Sequence, residues 1–411
     1  MKKLIGNAVV GQSGGPTAAI NATLAGVVRG ALGAKDTINT IYGMRNGIEG
    51  LLNENLVDLG ELCKTEYDIV TLENTPAAAL GSCRKKLPVL GTDDATYEKI
   101  LAIFKKYNIR YFFYIGGNDS MDTVAKLSAY TADKDYEMRI IGVPKTIDND
   151  LVGTDHTPGF GSAAKYIATT MQEFIRDCAV YTVRAVTIVE IMGRDAGWLT
   201  ASAGLPSLVS GEGPDYLYLP ERTFDMESFF NDIRAAFERH PNVVIGVSEG
   251  VRFADGTYVG EGTQSGAVDA FGHKYLSGTG KALEMAVKNE LGCKVRSVEL
   301  NINQRCAAHI ASKTDITESV SVGRAAVEHA IAGETGKMMT ILRRDGATYE
   351  TYNGASDVSE IANKIKEVPD EFINEKGNNV TTACLEYLLP LIEGETNPET
   401  KHGLPVHFVI K

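Results

Sequence analysis

The sequence predicts an α/β fold in which parallel sheets are covered by helices on both faces. Three observations lead to this prediction. Short apolar runs alternate with amphipathic runs of helical period, the order expected of strand–helix–strand units. The chain has 411 residues, enough for two domains. Polar and glycine-rich clusters follow five of the apolar runs, where ligands of open parallel sheets bind.

The alternation can be followed from the N-terminus to residue 301. The apolar run NAVVG predicts the first strand, and Pro16 precedes a helical pattern over 17–32. Residues 251–260 predict a hairpin. The other strands are expected at 110–117, 139–145, 185–193, 242–250 and 294–301, and the other helices at 96–107, 120–132, 161–178, 227–240 and 280–292.

Charge and composition limit the partners that the protein can have. The net charge of −12 argues against nucleic acid, which needs a basic face. The sequence has no run of about 18 or more apolar residues, so we expect no membrane span. The six cysteines form no CxxC pair, and the seven histidines lack metal-ligand spacing. The N-terminus fits a first strand better than a signal peptide, so we expect a cytoplasmic protein.

The segment GQSGGPT, residues 11–17, lies between the first strand and the first helix. Gly14 and Gly15 expose backbone N–H groups, and the helix start adds positive potential, which favours an anion such as phosphate. Two alternatives remain at this point. The segment can be a tight strand–helix turn, or its G-x-S-x-G pattern can present Ser13 as a hydrolase nucleophile.

Two further segments combine glycine with charge. GSCRKKL places Arg84 and two lysines after a glycine, which fits either a phosphate site or a solvated basic loop. GGNDS brings Asn118 and Asp119 to the start of a predicted helix. Its glycines allow a ligand to approach the backbone, although Asp119 can also serve only as a helix cap.

Three strand ends carry groups suited to phosphoryl transfer. In PKTIDND, Lys145 can hold a phosphate while Asp148 accepts a proton from a hydroxyl. In EIMGRDAG, Gly193 keeps the approach open and Arg194 offers a fork to a phosphate. In SEG, Glu249 can accept hydrogen bonds from sugar hydroxyls. Each group has a plain structural alternative, so their common location at strand ends is what indicates one site.

In this order, the motifs GQSGGPTAAIN, GSCRKKL, GGNDS, PKTIDND, VEIMGRDAGWL, VSEG and QR resemble those of the 6-phosphofructokinases, and most closely the diphosphate-dependent branch. The resemblance extends from about residue 5 to about residue 345. It implies two similar doubly wound (Rossmann-like) domains with the active site in the cleft between them. A donor domain would comprise 1–159 plus about 304–350, and a sugar-phosphate domain 160–303 plus about 351–411.

The resemblance also implies the reaction. Diphosphate would phosphorylate the 1-hydroxyl of D-fructose 6-phosphate, reversibly and with Mg²⁺, in glycolysis and gluconeogenesis. Relatives suggest a homodimer or homotetramer. The family's catalytic base matches Asp148, with Asp150 supporting it, and its donor-phosphate contacts match Gly14 and Arg84. The positions that match its sugar-phosphate contacts are Thr146, Ile147, Asp148, Met192, Gly193, Arg194, Glu249, Arg296, Gln304 and Arg305.

Two positions indicate the phosphoryl donor. ATP-using relatives carry glycine where this chain has Asp119 and Lys145. A carboxylate about 5 Å from a nucleotide's α-phosphate would cost about 3 kcal/mol at an effective dielectric of about 20. Diphosphate has only two phosphates and none at the place of the α-phosphate, so it avoids this cost. Lys145 would stabilise the charge on the transferring phosphoryl group.

The chain departs from the family pattern at two positions. Asn118 stands where relatives have a magnesium-associated aspartate, so it is expected to be at most a neutral oxygen ligand. Ile302 precedes NQR where relatives have His or Tyr. The alternatives at this point are an ATP-dependent phosphofructokinase, a serine hydrolase using Ser13, and a sugar-phosphate sensor without turnover.

Overall fold

The computed structural model describes residues 3–261 and 278–410. Its strands are β1 (Gly6–Gln12), β2 (Ile38–Met44), β3 (Leu56–Asp58), β4 (Ile109–Gly116), β5 (Arg139–Pro144), β6 (Ala185–Ile191), β7 (Tyr216–Tyr218), β8 (Asn242–Ser248), β9 (Lys294–Glu299), β10 (Lys337–Arg343), β11 (Thr351–Asp357), β12 (Thr400–Lys401) and β13 (Leu404–Pro405). The predicted α/β class is confirmed, because most of these strands lie in two largely parallel sheets packed against helices.

Helices follow most of the strands, as the alternating pattern predicted. They are α1 (Ile20–Gly33), α2 (Gly47–Leu52), α3 (Leu59–Leu62), α4 (Glu66–Glu73), α5 (Asp94–Lys106), α6 (Asn118–Ala132), α7 (Phe160–Ala179), α8 (Trp198–Ser202), α9 (Pro206–Ser210), α10 (Met226–Phe237), α11 (Thr279–Leu291), α12 (Asn303–Cys306), α13 (Lys313–Ala332) and α14 (Thr382–Leu388). Within the described ranges, none of them is long and apolar enough to cross a membrane.

The first sheet has seven strands in the order β11-β10-β5-β4-β1-β2-β3. Its five inner strands are parallel, and β3 and β11 run antiparallel at the two edges. The second sheet, β7-β8-β6-β9, is parallel throughout. Strand β11 extends the first sheet to residue 357. The division of the chain into donor and sugar domains stays a prediction.

Each sheet has an apolar core on both faces. In β1, Ala8 and Val10 pack into one core while Val9 packs into another, since neighbouring side chains of a strand point to opposite faces. In β6, Ile188 and Val189 divide in the same way between two other cores. Burial on both faces explains why these strands are continuous apolar runs.

Helices α1 and α13 cross closely on one face of the first sheet. A Cβ atom added to Gly26 would lie 2.1 Å from the carbonyl oxygen of Val320. One added to Gly323 would lie 2.2 Å from the carbonyl oxygen of Thr23. The two glycines therefore let the helix backbones touch.

The predicted strands and helices are found, with ends shifted by a few residues. The predicted hairpin at 251–260 is present as a short turn instead of two full strands. Its single antiparallel bridge joins Arg252 and Tyr258, and the N–H of Val259 donates to the carbonyl of Val251.

Candidate active site

The polar clusters of the first sheet lie side by side because β1, β4 and β5 are neighbours. The N–H of Ser13 donates to the carbonyl of Ile115 at 2.9 Å, which joins the ends of β1 and β4. The N–H of Lys145 donates to the carbonyl of Gly116 at 3.0 Å, which joins the ends of β4 and β5. GQSGGP, GGNDS and PKTIDND therefore form one continuous wall.

Lys145 is buried, with 3% of its surface exposed, and its Nζ donates to the carbonyl of Gly15 at 2.7 Å. A Cβ atom on Gly14 would lie 3.3 Å from the same Nζ, and Gly14 has a φ of +77°. A side chain there would be strained and would crowd the ammonium. Burial lowers the pKa of Lys145 to about 8, although Asp148 and Asp150 oppose this shift.

Asp148 is half-buried in the turn that follows Lys145. Its N–H donates to Thr146 Oγ1 at 3.1 Å, and the Thr146 hydroxyl donates to Asp148 Oδ2 at 3.4 Å. Burial raises the pKa of Asp148, while the charges of Lys145 and Arg194 lower it. Burial and the neighbouring Asp148 raise the pKa of Asp150 to about 7. When ionised, Asp148 is a stronger base than a solvated aspartate.

The opposite wall comes from β6 and β8 of the second sheet. Gly193, at a φ of +133°, donates its N–H to Glu249 Oε1 at 3.4 Å. Burial raises the pKa of Glu249 to about 8, with Asp148 adding to the shift and Arg194 opposing it. Asp148 of the first wall thus acts electrostatically on Glu249 of the second, so both walls contribute to one site.

Helix α12 connects the two walls. Gln304 Oε1 accepts a hydrogen bond from the N–H of Met192 at 3.0 Å. This bond fixes the start of the turn at 192–194, the MGR turn. A Cβ atom on Gly15 would lie 3.5 Å from Arg305 Nη1. Arg305 therefore reaches the glycine turn of the first sheet, and its charge contributes to the lowered pKa of Lys145. Arg84 contributes in the same direction.

Arg296 is the predicted site residue that the fold places elsewhere. It is exposed on β9, paired with Thr187 near the amino end of β6. There it lines a separate cavity together with Cys178, Tyr181 and Lys294. The family resemblance identified this arginine but gave no information about which end of the sheet it occupies.

Asp119 has a partner that the sequence reasoning missed. Lys86 Nζ lies 2.9 Å from Asp119 Oδ1. The basic run GSCRKKL and the GGNDS turn were both recognised as candidate site segments, but their spacing along the chain does not show that they meet. The carboxylate is therefore balanced by a cation from the GSCRKKL segment.

Asn118 has one bonded and one unbonded side-chain atom, which bears on whether it can hold a metal ion. Its Nδ2 donates to the carbonyl of Lys364 at 2.9 Å, whereas its Oδ1 is buried without a hydrogen-bond partner. A free buried carbonyl oxygen suits a hard cation such as Mg²⁺. Among the described residues, no group of three or more His, Cys, Asp and Glu side chains could hold a metal. Asn118 therefore offers a single neutral oxygen to such an ion.

The fold and the cleft define a class of α/β proteins that bind phosphorylated ligands between two parallel sheets. Within that class, the Phosphofructokinase family model matches residues 7–330. The chain belongs to the phosphofructokinase family, which confirms the resemblance seen in its motifs.

Individual members of the family are similar to this chain over nearly its whole length. The chain is 42% identical over 407 residues to the pyrophosphate–fructose 6-phosphate 1-phosphotransferase of Methylococcus capsulatus, covering 98% of this chain and 96% of the relative. It is 41% identical over 401 residues to the protein of the same name from Halomonas elongata, covering 97% and 94%. The crystal structure of a pyrophosphate-dependent phosphofructokinase from Nitrosospira multiformis is similar with a TM-score of 0.88 at 40% identity, covering 98% and 95%.

Proposed function

We propose that the protein transfers a phosphoryl group from diphosphate to the 1-hydroxyl of D-fructose 6-phosphate. The products are D-fructose 1,6-bisphosphate and phosphate, and the reaction is reversible. The observation that carries the proposal is that a buried ammonium, Lys145, and a half-buried carboxylate, Asp148, lie close together after the end of one strand. Full-length relatives named for this reaction support it.

Asp148 is the proposed general base. Its carboxylate takes the proton of the sugar 1-hydroxyl as that oxygen forms a bond to the transferred phosphorus. The bond between this phosphorus and the bridging oxygen breaks, and the electron pair leaves with the departing phosphate. Lys145 and Arg84 stabilise the negative charge of the donor, since positioning and electrostatic stabilisation carry most of this reaction. Gly14 leaves room for the donor phosphates beside Lys145.

The sugar phosphate is proposed to bind against the second wall and the turn that holds Asp148. Glu249 lies where it can bond a sugar hydroxyl, and Arg194 lies where it can bind a phosphate oxygen. Arg305 is placed to contact either the sugar phosphate or the donor, because it reaches Gly15. The remaining proposed contacts, which shape the pocket around these charges, are Thr146, Ile147, Met192, Gly193 and Gln304.

Donor choice is proposed to depend on Asp119 and Lys145. The Lys86–Asp119 pair occupies the donor side of the cleft, where ATP-using relatives have a glycine at the Asp119 position. The pair closes the space for a longer triphosphate, while Lys145 suits the two phosphates of diphosphate. Mg²⁺ is the proposed cofactor, bound through Asn118 Oδ1 and substrate phosphates, where it would neutralise phosphate charge.

Arg296 supports the proposal that the enzyme is a homodimer or homotetramer. It is exposed at the amino end of β9, away from the cleft of its own chain. The family resemblance assigns Arg296 to the sugar 6-phosphate. It can bind that phosphate only in the cleft of a second copy of the chain. We propose the cytoplasm as the location; the six cysteines are free thiols.

The serine hydrolase alternative is not retained. Ser13 is buried, with 5% of its surface exposed, so its hydroxyl is not presented to a substrate.

Phosphorus NMR tests the reaction directly. Fructose 6-phosphate, diphosphate and Mg²⁺ are incubated with the unmodified protein or with Asp148→Asn. We expect the signals of a 1-phosphate ester and of inorganic phosphate to grow in equal amounts. Asp148→Asn should lower kcat by about 10²–10⁴-fold, the usual loss for a missing general base. Phosphate release without the sugar ester would overturn the proposal.

A further inference from the structure

The segment 364–368, beyond the part of the chain matched by the family model, lies against the donor-side wall of the cleft. The carbonyl of Lys364 accepts the hydrogen bond from Asn118 Nδ2 at 2.9 Å. The N–H of Lys366 donates to the carbonyl of Asp150 at 2.8 Å. These two contacts join the segment to the GGNDS turn and to the turn that carries Asp148.

The same segment also forms hydrogen bonds with residues that follow strands of the second sheet. Trp198 Nε1, at the start of α8, donates to the carbonyl of Lys366 at 2.9 Å. The N–H of Val368 donates to Glu221 Oε1 at 2.9 Å, and that same oxygen accepts the N–H of Gly197 at 2.8 Å. The segment therefore joins the turn after β5 to the helix that follows the MGR turn, across the two sheets.

The side chain of Lys366 makes the most specific of these contacts. Its Nζ donates to Asn149 Oδ1 at 3.2 Å, to the carbonyl of Thr154 at 3.3 Å and to the carbonyl of Asp155 at 2.6 Å. Three acceptors match the three donors of an ammonium group. Its charge also lies 5.1 Å from the ring of Trp198, a favourable cation–π distance.

Asn149, which Lys366 contacts, has a left-handed backbone conformation. It is fully buried and adopts a φ of +53°, a region that asparagine occupies more readily than most residues other than glycine. Its Nδ2 has no hydrogen-bond partner. Asn149 also lies directly between Asp148 and Asp150. Its backbone conformation therefore sets the direction in which the Asp148 carboxylate points.

We propose that Lys366 is a positioning residue for phosphoryl transfer. By bonding Asn149 Oδ1 with its ammonium and the Asp150 carbonyl with its N–H, it holds the buried left-handed turn that aims Asp148 at the sugar hydroxyl. This inference rests on the proposed function, because it concerns the same base. It gives the C-terminal part of the chain a role in the reaction.

Steady-state kinetics of Lys366→Met separates positioning from substrate binding. We expect kcat to fall by about tenfold or more, while KM for both substrates stays within about twofold, since a misplaced base affects the transition state and not the bound ground state. Lys376→Met, an exposed lysine of the same C-terminal region, is the matched control and should behave as the unmodified enzyme. A kcat for Lys366→Met equal to that control overturns the inference.

A double-mutant cycle with Asn149→Gly excludes a merely structural role. Glycine has no side-chain oxygen, so the bond from the Lys366 ammonium to position 149 is already absent in that background. In the Asn149→Gly background, adding Lys366→Met should lower kcat by less than about threefold, giving clear coupling between the two sites. An equal loss in both backgrounds contradicts the inference. If Lys366→Met does not fold, Lys366→Gln is used in the same cycle. Its amide keeps a donor, so we expect a smaller loss of kcat, and coupling with Asn149→Gly remains the criterion.

The unmodified enzyme serves as the reference in every assay. If it lacks activity with diphosphate, the proposed function fails. If it is active and the cycle shows no coupling, only the role of Lys366 fails.

Discussion

The ammonium of Lys86 lies 2.9 Å from the carboxylate of Asp119, so the acidic residue expected to exclude a nucleotide carries its own counter-ion. The estimate of about 3 kcal/mol for repulsion of an α-phosphate applies to an unpaired carboxylate. The paired group repels less. Donor choice must then depend on the space that the ion pair occupies as well as on charge.

Removing Lys86 should weaken diphosphate binding. In Lys86→Met, Asp119 is left as an uncompensated negative charge beside the donor phosphates. Because the pair is partly exposed, we expect a rise in the KM for diphosphate of roughly three- to tenfold, larger at low ionic strength. Initial rates at varied diphosphate and salt measure it. Lys99→Met, on the exposed surface of α5, is the control for loss of one charge. Equal KM values for the two variants would refute the role of the pair.

The pH dependence of kcat/KM should show two limbs. Burial lowers the pKa of Lys145 to about 8, so the ammonium loses its proton as pH rises through about 8 and activity falls. Burial raises the pKa of Asp148, so the base becomes protonated as pH falls through a value above the usual aspartate range, and activity falls there as well. Profiles of kcat/KM report groups of the free enzyme.

Lys145→Arg identifies the group behind the alkaline limb. A guanidinium keeps its charge throughout the accessible range, so the residual activity should lose the limb near pH 8. Both enzymes use the same substrates, so a difference between their pH profiles does not come from titration of the substrates. An alkaline limb at the same pH in both would show that Lys145 does not cause it.

Asn118 Oδ1, which has no hydrogen-bond partner, is expected to contribute weakly to metal binding. Asn118→Ala removes Oδ1, and we expect the Mg²⁺ concentration for half-maximal activity to rise by up to about tenfold, because an ion held largely by substrate phosphates loses one ligand. A Mg²⁺ titration at saturating substrates measures the change. Because Asn118→Ala also removes the hydrogen bond from Nδ2 to the Lys364 carbonyl, the half-saturation point for Mg²⁺ is the readout instead of kcat. An unaltered half-saturation point would rule out Asn118 as a ligand.

The crossing of α1 and α13 predicts opposite effects of one substitution at two glycines. Gly26→Ala would place a Cβ atom 2.1 Å from the Val320 carbonyl oxygen and should lower the free energy of unfolding by about 1–3 kcal/mol or more. Gly33, in the last turn of α1, has nothing within 4 Å of an added Cβ. Gly33→Ala should be neutral or stabilising by up to about 1 kcal/mol. Thermal unfolding compares them, and equal melting temperatures would contradict this packing.

Much of the first wall could be predicted because its information is local. The run from Val143 to Asp150 contains the end of β5 and both proposed reacting groups, and strand neighbours bring Gly14 and Asn118 alongside. Parallel strands that are buried on both faces leave a clear apolar pattern, so β1, β4, β5, β6 and β8 were expected within a few residues.

The remaining features depend on contacts between distant parts of the chain. Lys366 lies 217 residues from Asn149, in a segment without a recognisable motif. Lys86 and Asp119 meet only after two loops fold towards each other. Arg296 was identified by the family resemblance, but its position relative to β6 follows from the register of the two strands. Such pairings follow from the folded arrangement of the sheets, and local residue patterns do not specify them.

The most direct test of the account compares diphosphate with ATP as donor for the unmodified protein. Initial rates of fructose 1,6-bisphosphate formation at saturating fructose 6-phosphate and Mg²⁺ give kcat/KM for each donor. We expect diphosphate to be favoured by at least about tenfold, which corresponds to about 1.4 kcal/mol of discrimination by the Lys86–Asp119 pair and Lys145. Equal use of both donors, or a preference for ATP, would contradict the account.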